Sequence, residues 1–152
     1  MSADTLEYRN EIDFSTTYDM ATDISFSFNR DGKRLLSTGF KDAFGLWDSE
    51  SGQLIRKFNG HSNTVVYVAF VNDSVAVSSA CDNTIRFWNI NNGHEIYDRR
   101  ITTDTYMSVV NISNDGRYLV CADYNYVYVY NLKSCMVLEH TPLVGLKNYA
   151  QF

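Results

Sequence analysis

Short runs of Val, Ile, Leu, Phe, Tyr and Trp alternate along this chain with clusters of Asp, Asn, Gly and Ser. The runs are too short for helices, and no long stretch has a helical period. Their β-branched and aromatic content predicts strands punctuated by turns. Strands are expected at 23–28, 34–38, 43–48 and 53–58. A second set is expected at 64–70, 74–79, 84–89 and 94–98, and a third at 106–112, 117–121, 126–131 and 135–139. Several runs are more apolar than simple alternation, for example Val65-Val66-Tyr67-Val68-Ala69-Phe70. That is what a sheet covered on both faces requires. In Tyr124 to Tyr130, an interior strand with Tyr on one face and Val on the other is expected, because the same run at an open edge would invite aggregation.

The three sets repeat one unit. Trp47, Trp88 and Tyr130 are spaced by 41 and 42 residues. Phe28, Phe70 and Ile112 are spaced by 42 and 42, and the turns Asp31-Gly32, Asn72-Asp73 and Asp115-Gly116 recur in phase. A period near 40–45 with several short strands per unit is the mark of a β-propeller. The fold class is therefore all-β, a partial β-propeller of about three four-stranded antiparallel blades. The organisation expected is an acidic arm over 1–18 that could supply one edge strand, then blades at about 19–58, 59–98 and 99–140. Residues 141–152 read as a tail or the start of a truncated further blade.

One copy carries a more specific signal. Gly60-His61-Ser62-Asn63-Thr64 precedes a β-rich run, and Ser78-Ser79-Ala80-Cys81-Asp82-Asn83-Thr84-Ile85-Arg86-Phe87-Trp88-Asn89 follows it. This stretch resembles the WD repeat. The resemblance implies that His61, Ser78, Asp82 and Trp88 form a structural hydrogen-bond tetrad. The line Trp88–Ser78–His61–Asp82 would give each buried polar group a partner, and such a network stabilises only when complete. The other copies depart from it. The first has Asp19 in the His slot and Lys41 in the Asp slot, with Asp42 one residue late, but keeps Ser37 and Trp47. The third has Thr103, Val120, Tyr124 and Tyr130 in the four slots, and there a Tyr130 hydroxyl turned outward to water would need no internal acceptor.

Composition narrows what the chain can do. The net charge is −5, and residues 1–23 carry six acids against one base. The remainder holds 12 acids and 12 bases, so no basic stripe exists for a phosphate backbone and no nucleic-acid partner is expected. The three cysteines, Cys81, Cys121 and Cys135, are too scattered for a disulfide framework or a thiolate zinc site, and point to a reducing compartment. Cytoplasmic localisation is expected, with the nucleus as the alternative. No apolar run approaches the roughly 20 residues that span a bilayer, so no membrane insertion is expected. His61, His94 and His140 have no metal-ligand spacing. Cys135 and His140 are close in sequence but lack an orienting third group. No Gly-rich phosphate loop is present. No metal, cofactor or catalytic residue is assigned.

The resemblance implies a non-catalytic protein–protein interaction scaffold. In the family, the loop before each first strand and the turn after each second strand line one rim. Mapped here, the partner-binding candidates are Phe40, Lys41, Asp42, Asn63, Cys81, Asp104, Asp123 and Tyr124. The rim so drawn is mildly acidic and suits other proteins with basic or mixed peptide surfaces. Three blades cannot close a ring, which expects a fragment of a larger propeller or assembly, self-association to complete one, or docking on a partner propeller. Two alternatives stand beside the scaffold. The stretch Gly45-Leu46-Trp47-Asp48 through Asp82 is similar to middle blades of G-protein β subunits, which implies a signalling component, although residues 1–22 show no heptads. The other is a structural subunit of a coat or RNA-processing complex.

Overall fold

The computed structural model describes residues 24–97, 100–104, 109–123, 125–133 and 136–142. The acidic arm, Tyr124, Cys135 and residues 143–152 lie outside them. The described residues are all-β, in three four-stranded antiparallel sheets, and contain no α-helix. The first sheet is β1 (Phe26–Phe28), β2 (Arg34–Phe40), β3 (Ala43–Asp48) and β4 (Leu54–Asn59). The second is β5 (Val65–Asn72), β6 (Val75–Ala80), β7 (Thr84–Asn89) and β8 (Ile101–Thr102). The third is β9 (Val109–Ile112), β10 (Tyr118–Ala122), β11 (Tyr126–Asn131) and β12 (Met136–Pro142). In each, strands sit side by side in chain order, the simplest outcome of short turns.

Those turns are set by side chains. The Asn29 carboxamide oxygen accepts from Arg34 N at 2.9 Å, and Asp31 accepts from Lys33 N at 2.9 Å. Asn72 accepts from Ser74 N and Val75 N at 2.9 and 3.0 Å, and Asp115 from Arg117 N at 3.0 Å. Asn and Asp so placed satisfy amides that the ladder leaves unpaired.

The three sheets stack, and the second is the filling. One face of β6 and β7 presents Ala76, Ala80 and Trp88 to Leu36, Phe44, Leu46 and Phe58 of the first sheet. The opposite face presents Val77, Ile85 and Phe87 to Leu119, Cys121 and Tyr130 of the third. Burial on both sides is why these strands read as continuous apolar runs. At the inner edge, Phe70 N donates to the Ser27 hydroxyl at 3.2 Å and Val68 N to that of Ser25 at 3.4 Å.

Two expectations are corrected. The outer strand of the second sheet is not 94–98. Glu95 makes a single bridge opposite Trp88, a turn closes with Arg100 N donating to Tyr97 O at 3.2 Å, and pairing resumes with Ile101 opposite Ile85. Ile101 arrives three residues later than the register of the Trp88–Glu95 bridge would bring it. The ladder runs through Ile96, whose N–H donates to Phe87 O at 2.7 Å, and the shift of register falls between Ile96 and Ile101. Nor does Tyr130 face outward: its ring is buried in the core between the second and third sheets, and that burial pushes its hydroxyl up to about 12.

Candidate partner-binding rim and the network behind it

The second sheet joins four side chains in one line. The Trp88 indole N–H donates to the Ser78 hydroxyl at 2.8 Å. Ser78 Oγ lies 2.7 Å from His61 Nε2, and His61 Nδ1 lies 2.9 Å from Asp82 Oδ2. A neutral imidazole with its proton on Nδ1 satisfies every member: Ser78 donates to Nε2 and Nδ1 donates to Asp82. Electrostatics agree. Burial holds the His61 pKa below its ordinary 6.5, although the Asp82 hydrogen bond works the other way. Burial would raise Asp82, but the Thr84 hydroxyl, Ser62 N–H and His61 hold it at about 2. Asp82 thus remains an anion that accepts from all of them.

Ser, His and Asp in hydrogen-bonded sequence are also the parts of a hydrolytic triad. Here the Ser78 hydroxyl is completely buried and occupied by the Trp88 indole, which itself packs edge-on to Phe44 and Phe58 at 5.5 and 6.0 Å. No carbonyl can approach it. The line fastens β6, β7 and the loop before β5, and that fastening is what it can do.

The fastened loops form a continuous rim, at the end opposite the β1–β2, β5–β6 and β9–β10 turns. Val65 N donates to Lys41 O at 2.7 Å, tying the β2–β3 turn to the start of β5. Cys81 N donates to Thr64 O at 2.8 Å, and the Asn63 carboxamide reaches Cys81 O at 3.4 Å. Thr103 completes the path, giving its N–H and hydroxyl to Asn83 O at 3.0 and 3.1 Å. Along it Lys41, Asp42, Asn63, Cys81 and Asp104 are exposed. Although Cys81 is exposed, partial desolvation of its thiol, and then the neighbouring Asp82, push the thiol up, which suits it poorly to nucleophilic work. Phe40 is half-buried, stacked on Trp47 at 6.0 Å with Lys57 Nζ 4.8 Å above its ring. Trp47 in turn donates to Ser37 at 2.9 Å, a two-member version of the same line.

Asp123 is a correction. It is buried, not presented on the rim, and accepts from Asn125 N and Tyr126 N at 2.7 Å each and from the Tyr128 hydroxyl at 3.0 Å. It organises the β10–β11 turn. Tyr124 lies outside the described residues.

Sequence reasoning passed over Arg86. Its guanidinium is buried among Asp82 Oδ2 at 3.2 Å, Glu95 Oε2 at 3.2 Å, the Thr84 hydroxyl at 3.0 Å and Gly60 O at 2.6 Å. Arg100 closes on the same Glu95 with a fork of 2.6 and 2.7 Å. The signal was an Arg inside an otherwise apolar strand, a charge that needs partners when buried. Among the described residues, no three His, Cys, Asp or Glu side chains converge to hold a metal, and no helix is long and apolar enough to cross a membrane.

The family model described as "WD domain, G-beta repeat" matches residues 52–89, which include all four members of the line. The chain is 33% identical over 106 residues to COMPASS component SWD3 of Saccharomyces cerevisiae, covering 64% of this chain and 34% of that protein. It is 31% identical over 72 residues to eukaryotic translation initiation factor 3 subunit I of Schizosaccharomyces pombe, covering 46% of this chain and 22% of that protein. Over 80 residues it is 39% identical to the U3 small nucleolar RNA-associated protein 15 homolog of Xenopus tropicalis, covering 51% of this chain and 15% of that protein. The matched part of the chain therefore spans between 15% and 34% of the length of each.

Proposed function

We propose that the chain, which is similar to WD-repeat proteins through the repeat at residues 52–89, acts as a non-catalytic protein–protein interaction scaffold whose partners dock on the rim of Lys41, Asp42, Asn63, Cys81 and Asp104. What supports this most is the contrast between backing and surface. Buried polar groups and backbone hydrogen bonds hold the loops, while the side chains they present are exposed and carry no reactive arrangement. A rigid backing lowers the ordering cost of binding. The rim's acids, Asp42 and Asp104, outnumber Lys41, which suits a basic or mixed peptide surface. The balanced charge beyond residue 23 favours protein over nucleic acid as the partner, in the cytoplasm or the nucleus.

The test is affinity capture with Asp42→Lys and Asp104→Lys made together. The partners held by the parent chain should be lost while the circular dichroism spectrum is kept. An unchanged set of partners would refute the rim assignment.

Two of the relatives, a COMPASS component and a subunit of initiation factor 3, favour a second reading as a structural subunit of a larger assembly. That reading expects aggregation when the chain is expressed alone and rescue by co-expression with a neighbour.

A further inference from the structure

One side of the first sheet meets the second through Leu36, Phe44, Leu46 and Phe58, and no described sheet lies on the other. On that open side Phe28 is opposite Leu35, Leu35 opposite Trp47 and Trp47 opposite Leu54. One apolar row thus crosses all four strands. Its ends, Phe28 and Leu54, are 62% and 44% exposed, whereas its centre, Leu35 and Trp47, is 7% and 6% exposed. The Trp47 ring stretches over Gly45, where a Cβ would come 2.7 Å from its Nε1. An indole lying along a bare sheet would show a whole face to water. A shielded centre with open margins is what one narrow segment produces, since a full sheet laid on top would bury the margins as well.

The sequence holds one segment of that kind close by. Residues 1–23 lie outside the described residues and lead directly into Ile24, beside the inner strand β1. Between residues 6 and 20 every apolar side chain is at an even position: Leu6, Tyr8, Ile12, Phe14, Tyr18 and Met20. Every charged one is at an odd position: Glu7, Arg9, Glu11, Asp13 and Asp19. Strict alternation is the pattern of a strand with one face buried and one in water. Four strands about 4.8 Å apart make a face about 15 Å wide, which about five extended residues cross. Residues 12–20 therefore reach the whole row from Ile24. Charge suits the same placement. Residues 1–23 carry six acids against one base, and residues 24–59 six bases against four acids. Lys57, exposed on the open side with its ammonium 4.8 Å above the Phe40 ring, has no ion-pair partner among the described residues.

We propose that the acidic N-terminal segment is an intramolecular strap that lays Ile12, Phe14 and Tyr18 across Leu35 and Trp47. Its odd-numbered acids then face water, and an apolar sheet face that would pair with other sheets is replaced by a charged one. The strap does not depend on the rim reading.

Photocrosslinking of the whole chain tests it, with p-benzoylphenylalanine at position 14 in place of Phe14. Equal amounts of normal and nitrogen-15-labelled protein are mixed before irradiation, and linked peptides are read by mass spectrometry. Links should join residue 14 to peptides from residues 34–58 of the same copy. Isotopically mixed links would mean that a second copy covers the face, and links elsewhere or none would mean that the strap does not lie there; each overturns the proposal. Ile12→Asp with Phe14→Asp should release the strap while keeping the far-UV circular dichroism spectrum. Acrylamide should then quench about half of the tryptophan emission, because Trp47 opens locally while Trp88 stays in the core. Quenching as weak as in the parent chain would overturn the proposal as well.

Discussion

Ser78 and Ser79 are neighbours on β6, both buried, and point to opposite faces of the second sheet. Their alanine variants should differ sharply. Ser78→Ala removes the acceptor of the Trp88 indole N–H and the donor to His61 Nε2. Neither group can turn to water, because Trp88 is wedged between Phe44 and Phe58 and His61 is 5% exposed. Each orphaned buried group costs about 1–3 kcal/mol, so the loss should reach roughly 2–5 kcal/mol. That is a large part of the about 5–15 kcal/mol that holds a typical domain folded. The Ser79 hydroxyl has no hydrogen-bond partner in the structure, so Ser79→Ala removes a buried polar group that nothing satisfies. It should be neutral or slightly stabilising. Urea unfolding followed by tryptophan fluorescence, extrapolated linearly to water, gives both values on one scale. If the two variants lose similar amounts, or Ser78→Ala loses under about 0.5 kcal/mol, the polar line is not what secures the sheet.

Acid should weaken the fold in two stages. The His61 pKa is depressed in the folded chain, so its stabilisation is full above pH 6.5 and falls as the unfolded chain takes up the proton below it. Asp82, held at about 2 against an ordinary 3.8, adds a second loss between those values. Urea midpoints that rise from pH 7.5 to 5.5 would contradict the neutral His61. Gly60→Ala combines an unfavourable φ of 150° with a Cβ 3.0 Å from the Trp88 ring, and should cost about 1–3 kcal/mol in thermal unfolding. A parental melting temperature would show that the loop can shift at no cost. Arg86→Met leaves Asp82 and Glu95 without their shared cation and should cost about 3–5 kcal/mol. Adding Glu95→Gln to it should then cost less than Glu95→Gln alone, and strict additivity in the double-mutant cycle would mean the two side chains are not coupled.

The sequence made the sheets legible because every blade repeats the same commitments at the same phase. Asn and Asp close the first turns, and β-branched runs follow them. The line from Trp88 to Asp82 was legible as a resemblance, since its residue types sit at fixed offsets in one copy. What sequence misplaced depended on contacts between distant residues. Residues 94–98 have the composition of a strand, but pairing with β7 shifts register between Ile96 and Ile101, and no local pattern encodes that shift. Asp123 reads like any rim aspartate until Tyr128 folds back onto it. Tyr130 reads as an outward residue until Leu119 and Phe87 are seen to share its core.

The uneven copies have a physical order. Only the second sheet is covered on both faces by described sheets, so its polar groups have the least access to water and the most to lose if unpaired. It carries the complete line. The first sheet keeps the Trp47–Ser37 pair alone, and the third replaces the pair with Tyr130 opposite Leu119 and Val120 opposite Val129. Polar fastening is thus densest where desolvation makes it most directional. The flanking sheets rely on apolar packing against that centre, and the loops of the rim inherit their positions from it through Val65, Cys81 and Thr103. Loosening the Ser78 line should therefore disturb the rim's Asn63 and Cys81 before it disturbs the far end of the sheets around Phe28 and Arg30. Hydrogen exchange of the Ser78→Ala variant reads this as faster exchange of Ser62 N–H and Cys81 N–H, with Lys33 N–H unchanged. Equal acceleration at both ends would mean that the sheets open as one unit and that the line gives the rim no separate support.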